Sequence, residues 1–187
     1  MPNVNRGTSL FLGSAANPDS VNVALTSPAV AGSFTPYAPG DLGGSFEYQD
    51  KAYTVVILDS GATSANTVGA PAKNMLLFWK DKANRIVTND YRVSIAPTAP
   101  GVAVAGVLRV TPAVPLGTGG NLICMLIRGF GVTVKAGTCA IGAIMANTSA
   151  NTASAVTATT TLQQIGQALA ADSAGTVLCN IDIPQLP

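Results

Sequence analysis

Residues 75–89 read MLLFWKDKANRIVTN. Five apolar or aromatic residues run into Lys-Asp-Lys-Ala-Asn, and a β-branched run follows at once. Apolar and β-branched runs of this length read as strands, and two of them around a polar tip read as a hairpin. The same pattern continues on both sides. Upstream, SFEYQ (45–49) and AYTVVIL (52–58) read as two further strands, and DSGATSANTVGAPAKN (59–74) after them is rich in turn formers. Downstream come YRVSIA (91–96), GVAVAGVLRV (101–110), NLICMLIR (121–128), GVTVK (131–135), GTCAIGAIMA (137–146), AVTATTTLQ (155–163) and GTVLCNIDI (175–183). Gly, Pro and Asn punctuate these runs at spacings of about 8–12 residues, the pattern of a sandwich or barrel. Leu162, Ile165, Gly166 and Leu169 have helical spacing, but the central glycine and the preceding threonine run favour a strand there. The expected fold is all-β: a small β-barrel or β-tulip, or a compact sandwich, from residue 41 to 187.

Residues 1–40 differ in character. They hold two charges, Arg6 and Asp19, and prolines at 2, 18, 28, 36 and 39. Their short apolar pieces, SLFL and VNVAL, lack the periodicity of an independent core. This segment is expected to be an extended arm, held by its own domain or by a neighbouring copy. Phe11, Phe34 and Tyr37 are its candidate partner-binding anchors, because aromatic side chains often dominate interfaces.

The composition removes several function classes. The chain has no histidine, and Asp, Glu, Lys and Arg make up 10% of it, against about a quarter in an ordinary soluble domain. A net charge of +1 gives no electrostatic footprint for nucleic acid and no basic anchor for a membrane. No apolar run reaches the ~18–20 residues of a membrane-spanning helix, and SLFLG is too short for a signal-peptide core. A cytoplasmic site of synthesis is expected. Cys124, Cys139 and Cys179 are odd in number, far apart and without a CxxC, so a metal site is not expected. Each sits in an apolar stretch and reads as a small buried hydrophobe, with one disulfide allowed but not required. No cofactor is expected.

Three strings could carry chemistry. VVILDSGAT (55–63) resembles the active-site turn of retroviral-type aspartic proteases, with Asp59 as the acid/base and a second Asp supplied by a homodimer. Two carboxylates about 3 Å apart would have to share one proton. The bland reading is a strand ending in a Ser-Gly turn; Asp59→Asn would abolish any proteolysis. GTGG (117–120) lacks the Lys-Ser/Thr and the helix that a phosphate loop needs, and reads as a glycine hairpin. Lys73, Lys80, Lys82 and Arg85 near Phe78 and Trp79 could face single-stranded nucleic acid, but Asp81 and the overall neutrality favour a solvated hairpin tip. Asn147-Thr148-Ser149 matches a glycosylation acceptor.

Five stretches, in order, carry a family resemblance: FEYQDKAYTVVILDSG (46–61), MLLFWKDKANRIVTND (75–90), VAGVL (104–108), GFGVTVKAG (129–137) and IGQALAADSAGTVLCNIDIP (165–184). Together they resemble the capsid decoration, or cement, proteins of tailed bacteriophages. The resemblance implies a β-barrel or β-tulip on the outside of a phage head, an oligomer with a trimer favoured, and the major capsid protein as partner. It implies a structural role in the virion, bridging capsid subunits and stiffening the shell, and no enzymatic activity. The long N-terminal arm and the scarcity of charge depart from the pattern. The alternatives are another minor virion protein (a head fibre base, a second capsid protein or an adhesion module) and, remotely, the protease built on Asp59.

Overall fold

The structure, a computed structural model, describes residues 17–25, 45–62, 69–91, 104–147, 153–156 and 163–184, with the backbone alone at 153–156. The strands in chain order are β1 (Asn22–Ala24), β2 (Ser45–Tyr48), β3 (Lys51–Leu58), β4 (Leu76–Asp81), β5 (Ile86–Thr88), β6 (Val104–Leu108), β7 (Asn121–Lys135), β8 (Ile144–Asn147), β9 (Ala153–Val156), β10 (Gln164–Ala168) and β11 (Thr176–Asp182). A single 3-10 turn, Pro18–Ser20, accompanies them among the described residues. The fold is all-β, as the runs of β-branched residues require.

The hairpin expected at 75–89 forms, and the two strands expected upstream of it pair as a second one. β2 and β3 pair from Ser45↔Thr54 to Tyr48↔Lys51, and Gln49 and Asp50 turn the chain with φ of 48° and 60°. A two-residue turn with both φ positive matches the twist of the strands it joins. β4 and β5 pair across the Lys-Asp-Lys-Ala-Asn tip. There the Asp81 carboxylate accepts from the Asn84 amide N–H at 3.1 Å and from its Nδ2 at 2.6 Å, closing the turn.

Sheet pairing then closes on itself. β3 runs parallel to β5, β5 pairs β4, β4 pairs β6 and β6 pairs β7. β7 returns to pair the whole of β3, from Lys51↔Gly129 to Leu58↔Asn121. The result is a closed five-stranded barrel rather than an open sandwich. Closure removes two edges from the sheet.

NLICMLIR and GVTVK are one strand, not two. β7 runs unbroken through Gly129-Phe130-Gly131, where Gly131 has φ 65°. Glycine takes this left-handed conformation without the steric penalty of a Cβ, so the strand bends instead of ending. Its first half belongs to the barrel. Its second half pairs β11, and β11, β10, β8 and β9 follow in that order as a second sheet outside the barrel. The segment with helical spacing is strand β10, as expected. A Cβ on Gly166 would lie 2.0 Å from the Asn180 carbonyl oxygen, so this close approach of β10 to β11 requires glycine.

Barrel strands are buried on both faces. Along β3, Tyr53, Val55 and Ile57 join one apolar cluster, while Ala52, Val56 and Leu58 join another. The first cluster extends to Val177, Cys179 and Ile181 of β11, Ile165 of β10 and Met145 of β8. Burial on both faces explains why the strand reads AYTVVIL, nearly continuous in apolar residues, rather than alternating. Each fully buried side chain of this size contributes about 1.5–3 kcal/mol relative to exposure.

Part of the N-terminal arm lies on the barrel of its own chain. β1 pairs β7 at Asn22↔Ile123, Val23↔Leu122 and Ala24↔Asn121. Phe11, Phe34 and Tyr37 fall outside the described residues.

Candidate functional site

Arg109, just after β6, makes four side-chain hydrogen bonds. Its guanidinium is nearly enclosed, with the side chain 9% exposed. Nε and Nη2 donate to the two oxygens of Asp19 at 3.3 and 3.1 Å. Nη1 donates to Asn74 Oδ1 at 2.8 Å and to the Thr133 carbonyl at 3.2 Å. Asp19 also accepts from the Tyr53 hydroxyl at 2.9 Å. Burial pushes the Asp19 carboxyl up, but the Arg109 hydrogen bonds and charge, helped by Tyr53 and Lys51, outweigh it and hold the group below 3.8. Burial and the Asp19 charge push the Tyr53 phenol well above its ordinary value. This clasp joins the 3-10 turn of the arm to β3, to the end of β6, to the approach to β4 and to β7. Nothing in it is poised for chemistry. Its effect is to fix the place where the arm meets the barrel.

The glycine string 117–120 completes that junction. Leu25 N–H donates to the Gly120 carbonyl and Gly119 N–H to the Leu25 carbonyl, both at 2.9 Å. A Cβ on Gly117 would lie 2.5 Å from the Leu25 carbonyl oxygen. Gly120 has φ 86°, and a Cβ there would lie 2.3 Å from the Leu58 carbonyl oxygen. These glycines let three backbones meet. Their amides are already committed: Gly117 N–H donates to Asn121 Oδ1, and Gly120 N–H donates to the Gly117 carbonyl. The string is a hairpin loop, not a phosphate cradle.

The remaining chemical candidates lie at separate places in the fold. Asp59 ends β3, and its carboxylate accepts from Lys80 Nζ at 2.7 Å. A cation is the opposite of the second carboxylate that an acid-protease dyad requires. Gly61 makes room for that carboxylate, since a Cβ there would lie 2.9 Å from Asp59 Oδ2. Phe78 and Trp79 are buried in the two apolar clusters, so neither offers a face to a base. Asn147 is wholly buried on β8. Cys124, Cys139 and Cys179 are free thiols and all buried. Burial pushes Cys124 and Cys179 up to about 12 and raises Cys139, so the thiolates needed for nucleophilic or metal chemistry are suppressed. Among the described residues, no three His, Cys, Asp or Glu side chains are grouped to hold a metal.

Two surface features of the described residues bear on binding. The first is an open groove of about 540 Å³ beside β2, lined by Ser45–Asp50, Ala52 and Arg128. Glu47 and Arg128 form an ion pair across it. The second is the outer face of the second sheet. Ala168 and Cys179 are register partners and both buried. The next residues, Leu169 and Leu178, joined by a 2.7 Å N–H to carbonyl bond, therefore face outward. Thr133 stands beside Leu178, Asn180 pairs Gln167, and Gln167 pairs Ile144. Ile141, 73% exposed, lies in the loop tied to this face by the Gly142 N–H to Ala168 carbonyl bond, and Leu178 is 41% exposed. From Ala136 to Ala171 the sequence carries no charged residue. An exposed sheet face usually carries Lys or Glu for solubility; this one carries Leu, Ile, Thr, Asn and Gln, with charge only at its margin, Lys135 beside Thr176 and Asp182 at the end of β11.

The sequence reading did not single out Asp19, Arg109, Ile141 or Leu178. The signal for the first two was their isolation: Asp19 is one of two charges in the first 40 residues, and Arg109 is one of five after residue 92. The signal for the outer face was the uncharged run itself. Comparison with family models, with curated proteins and with solved structures finds no match for the chain.

Proposed function

We propose that this protein is a structural component of a phage virion that decorates the outer surface of the head and bridges subunits of the major capsid protein. The supporting observation is the outer face of the second sheet, where β10 and β8 carry no charge and Ile141 and Leu178 are exposed, carried on a closed barrel. Such a face is unsuited to free solution and suited to a flat protein surface. Burying an exposed Ile or Leu contributes roughly 1.5–3 kcal/mol. Many copies on one shell multiply that contribution through avidity. The resemblance of residues 44–184 to decoration proteins points the same way. In this reading the clasp anchors the arm at a fixed point, and Phe11, Phe34 and Tyr37 add contacts to a neighbouring capsid subunit.

The test is reconstitution on undecorated heads. Purified protein should bind them across the surface and raise the temperature or osmotic shock at which they rupture. Ile141→Asp with Leu178→Asp should weaken binding at least tenfold, because each places a charge in a dry interface. Protein that neither binds nor protects the heads would refute the proposal. Protein found only at vertices or tail would make it a different minor virion component.

A further inference from the structure

Ile141 is the most exposed large apolar side chain among the described residues, at 73%. The backbone that carries it is tied down on every side. Cys139 N–H donates to Asp172 Oδ1 at 2.8 Å, and Asp172 N–H donates back to the Cys139 carbonyl at 3.1 Å. Ala143 N–H donates to the Ala140 carbonyl at 3.1 Å, closing a turn around Ile141 and Gly142. Gly142 has φ 79°, the left-handed value that a type II turn needs at its third residue. Its N–H donates to the Ala168 carbonyl at 2.8 Å, and its carbonyl accepts from Gln167 Nε2 at 3.0 Å. Ala168 N–H donates to the Ala143 carbonyl at 2.9 Å. Six hydrogen bonds therefore fix the stretch from Cys139 to Ala143. What this fixed turn holds out to solvent is a branched apolar side chain.

We propose that this turn is a preformed knob: Ile141 enters an apolar pocket in the capsid-protein surface that the outer face covers, and Asp172 and Gln167 are positioning residues that act through it. The inference rests on the decoration reading above and names the contact within it. Binding costs the freedom of every backbone and side chain that must be ordered at the interface. Here the backbone is ordered beforehand, and the β-branch of Ile stiffens its χ1. A side chain that projects alone from a pinned turn gains most in a cavity, where it meets partner atoms on all sides; a plane would touch one side of it. The other exposed apolar groups differ. Leu178 stands within β11 and is 41% exposed. Phe130, 71% exposed, is two residues from Arg128 and its ion pair with Glu47, so a dry contact there would have to desolvate charge. Around Ile141 the run from Ala136 to Ala171 is uncharged, and the carboxylate that ends it, Asp172, is bonded to the Cys139 amide.

The test is the affinity of the full chain and its variants for undecorated heads, each variant first checked for folding by circular dichroism. Ile141→Val removes one methylene and should weaken binding about fourfold, and Ile141→Ala should weaken it more than about tenfold. Ile141→Phe should weaken it too, because a pocket shaped to Ile has no room for a ring. Asp172→Ala should weaken binding about fivefold by loosening the turn. It should also speed hydrogen exchange at the Gly142 amide and leave exchange in β7 unchanged. Asp172→Asn keeps an Oδ1 acceptor for the Cys139 amide and should restore binding. Ile141→Ala combined with Asp172→Ala should bind no worse than Ile141→Ala alone, since Asp172 acts through Ile141. Phe130→Ala is the control and should bind as wild type does. Wild-type protein that fails to bind overturns the decoration reading and this inference with it. Wild-type binding that Ile141→Ala leaves intact overturns this inference alone. So do tighter binding by Ile141→Phe, which would mark a flat contact, losses that add in the double variant, which would make Asp172 a purely structural residue, and a loss confined to Phe130→Ala.

Discussion

Removing the Asp19 carboxylate should be the most damaging change to a polar group in this protein. In Asp19→Ala the Arg109 guanidinium stays where it is, with its side chain 9% exposed. It keeps two neutral acceptors, Asn74 Oδ1 and the Thr133 carbonyl, and loses its counter-charge. Breaking a buried pair from one side costs about 3–5 kcal/mol. Asp19 is itself 18% exposed, so water reaches the vacated position, and the lower end, about 3 kcal/mol, is expected. For a chain of this size that is a fall in Tm of about 6–12 °C. Arg109→Met should cost less, about 2 kcal/mol, because the carboxylate left behind keeps the Tyr53 hydroxyl and some solvent. The double variant leaves no orphaned charge. It should fall well short of the sum, with a coupling energy of at least about 2 kcal/mol. Urea unfolding followed by the fluorescence of Trp79, the single tryptophan and 7% exposed, reads all four proteins.

The same pair sets an acid dependence with a definite sign. Folding lowers the Asp19 carboxyl below 3.8. Its stabilisation is therefore complete above that value and is lost as pH falls through the lower folded value. The gap between wild type and Asp19→Ala should be constant from pH 5 to 7, where Asp19 is fully ionised, and should narrow in acid below about 3.8. Asp19→Ala within about 1 kcal/mol of wild type at neutral pH would refute this account. So would single-variant losses that simply add, or a gap that widens in acid.

Three other outcomes follow from the packing. Deleting residues 2–25 should lower Tm further than deleting 2–16, because only the longer deletion removes Asp19, the β1 ladder and the Leu25 bonds to the glycine loop; equal Tm values in a thermal melt would contradict the clasp. Gly120→Ala combines a left-handed φ with a Cβ 2.3 Å from the Leu58 carbonyl and should cost about 2–4 kcal/mol, whereas Gly131→Ala, with open space at its Cβ, should cost about 1 kcal/mol in the same urea assay. A thiol reagent at pH 8 should label none of the three cysteines of the folded protein within minutes and all three in urea, since Cys124 and Cys179 are pushed to about 12 and all three are buried.

What the sequence disclosed and what it hid divide along contact range. The hairpins at 45–58 and 75–89 were legible because their partners are a few residues apart and the turns between them carry their own chemistry: Asp81 with Asn84, and the polar pair Gln49-Asp50. Strand character at 104–108, 121–135 and 176–182 was equally plain in β-branched composition, whereas GTCAIGAIMA becomes strand only from Ile144, and YRVSIA beyond Tyr91 and AVTATTTLQ between 157 and 162 lie outside the described residues. Barrel closure was not, because the β3–β7 and β3–β5 ladders join residues far apart and no local pattern encodes parallel pairing. The continuity of β7 was hidden by Gly129 and Gly131, which read as punctuation until the bend they permit is seen. Asp19 and Arg109 lie 90 positions apart, and neither has a neighbour in sequence that announces the pair.

Scarcity of charge makes the placement of each charge informative. Asp19 is spent on Arg109, Asp59 on Lys80 and Glu47 on Arg128. Those three pairs sit at the arm junction, at the end of β3 and beside the β2 edge. Each therefore secures or protects a piece of the barrel. None lies on the outer face of the second sheet or along β9. If low charge were only a drift of composition, the few ions present would be scattered over every exposed strand. Apart from Asp182 at the end of β11 and Lys135 beside Thr176, the second sheet carries no charge, and strands β10, β8 and β9 have none at all, where solvent alone gives no reason for charge to be missing. Contact with other protein does give one: charge on a surface that becomes dry must be desolvated or matched by its partner. A face of Leu, Ile, Thr, Asn and Gln escapes both requirements, and that is the physical case for reading this sheet as the side of the molecule that meets its neighbours.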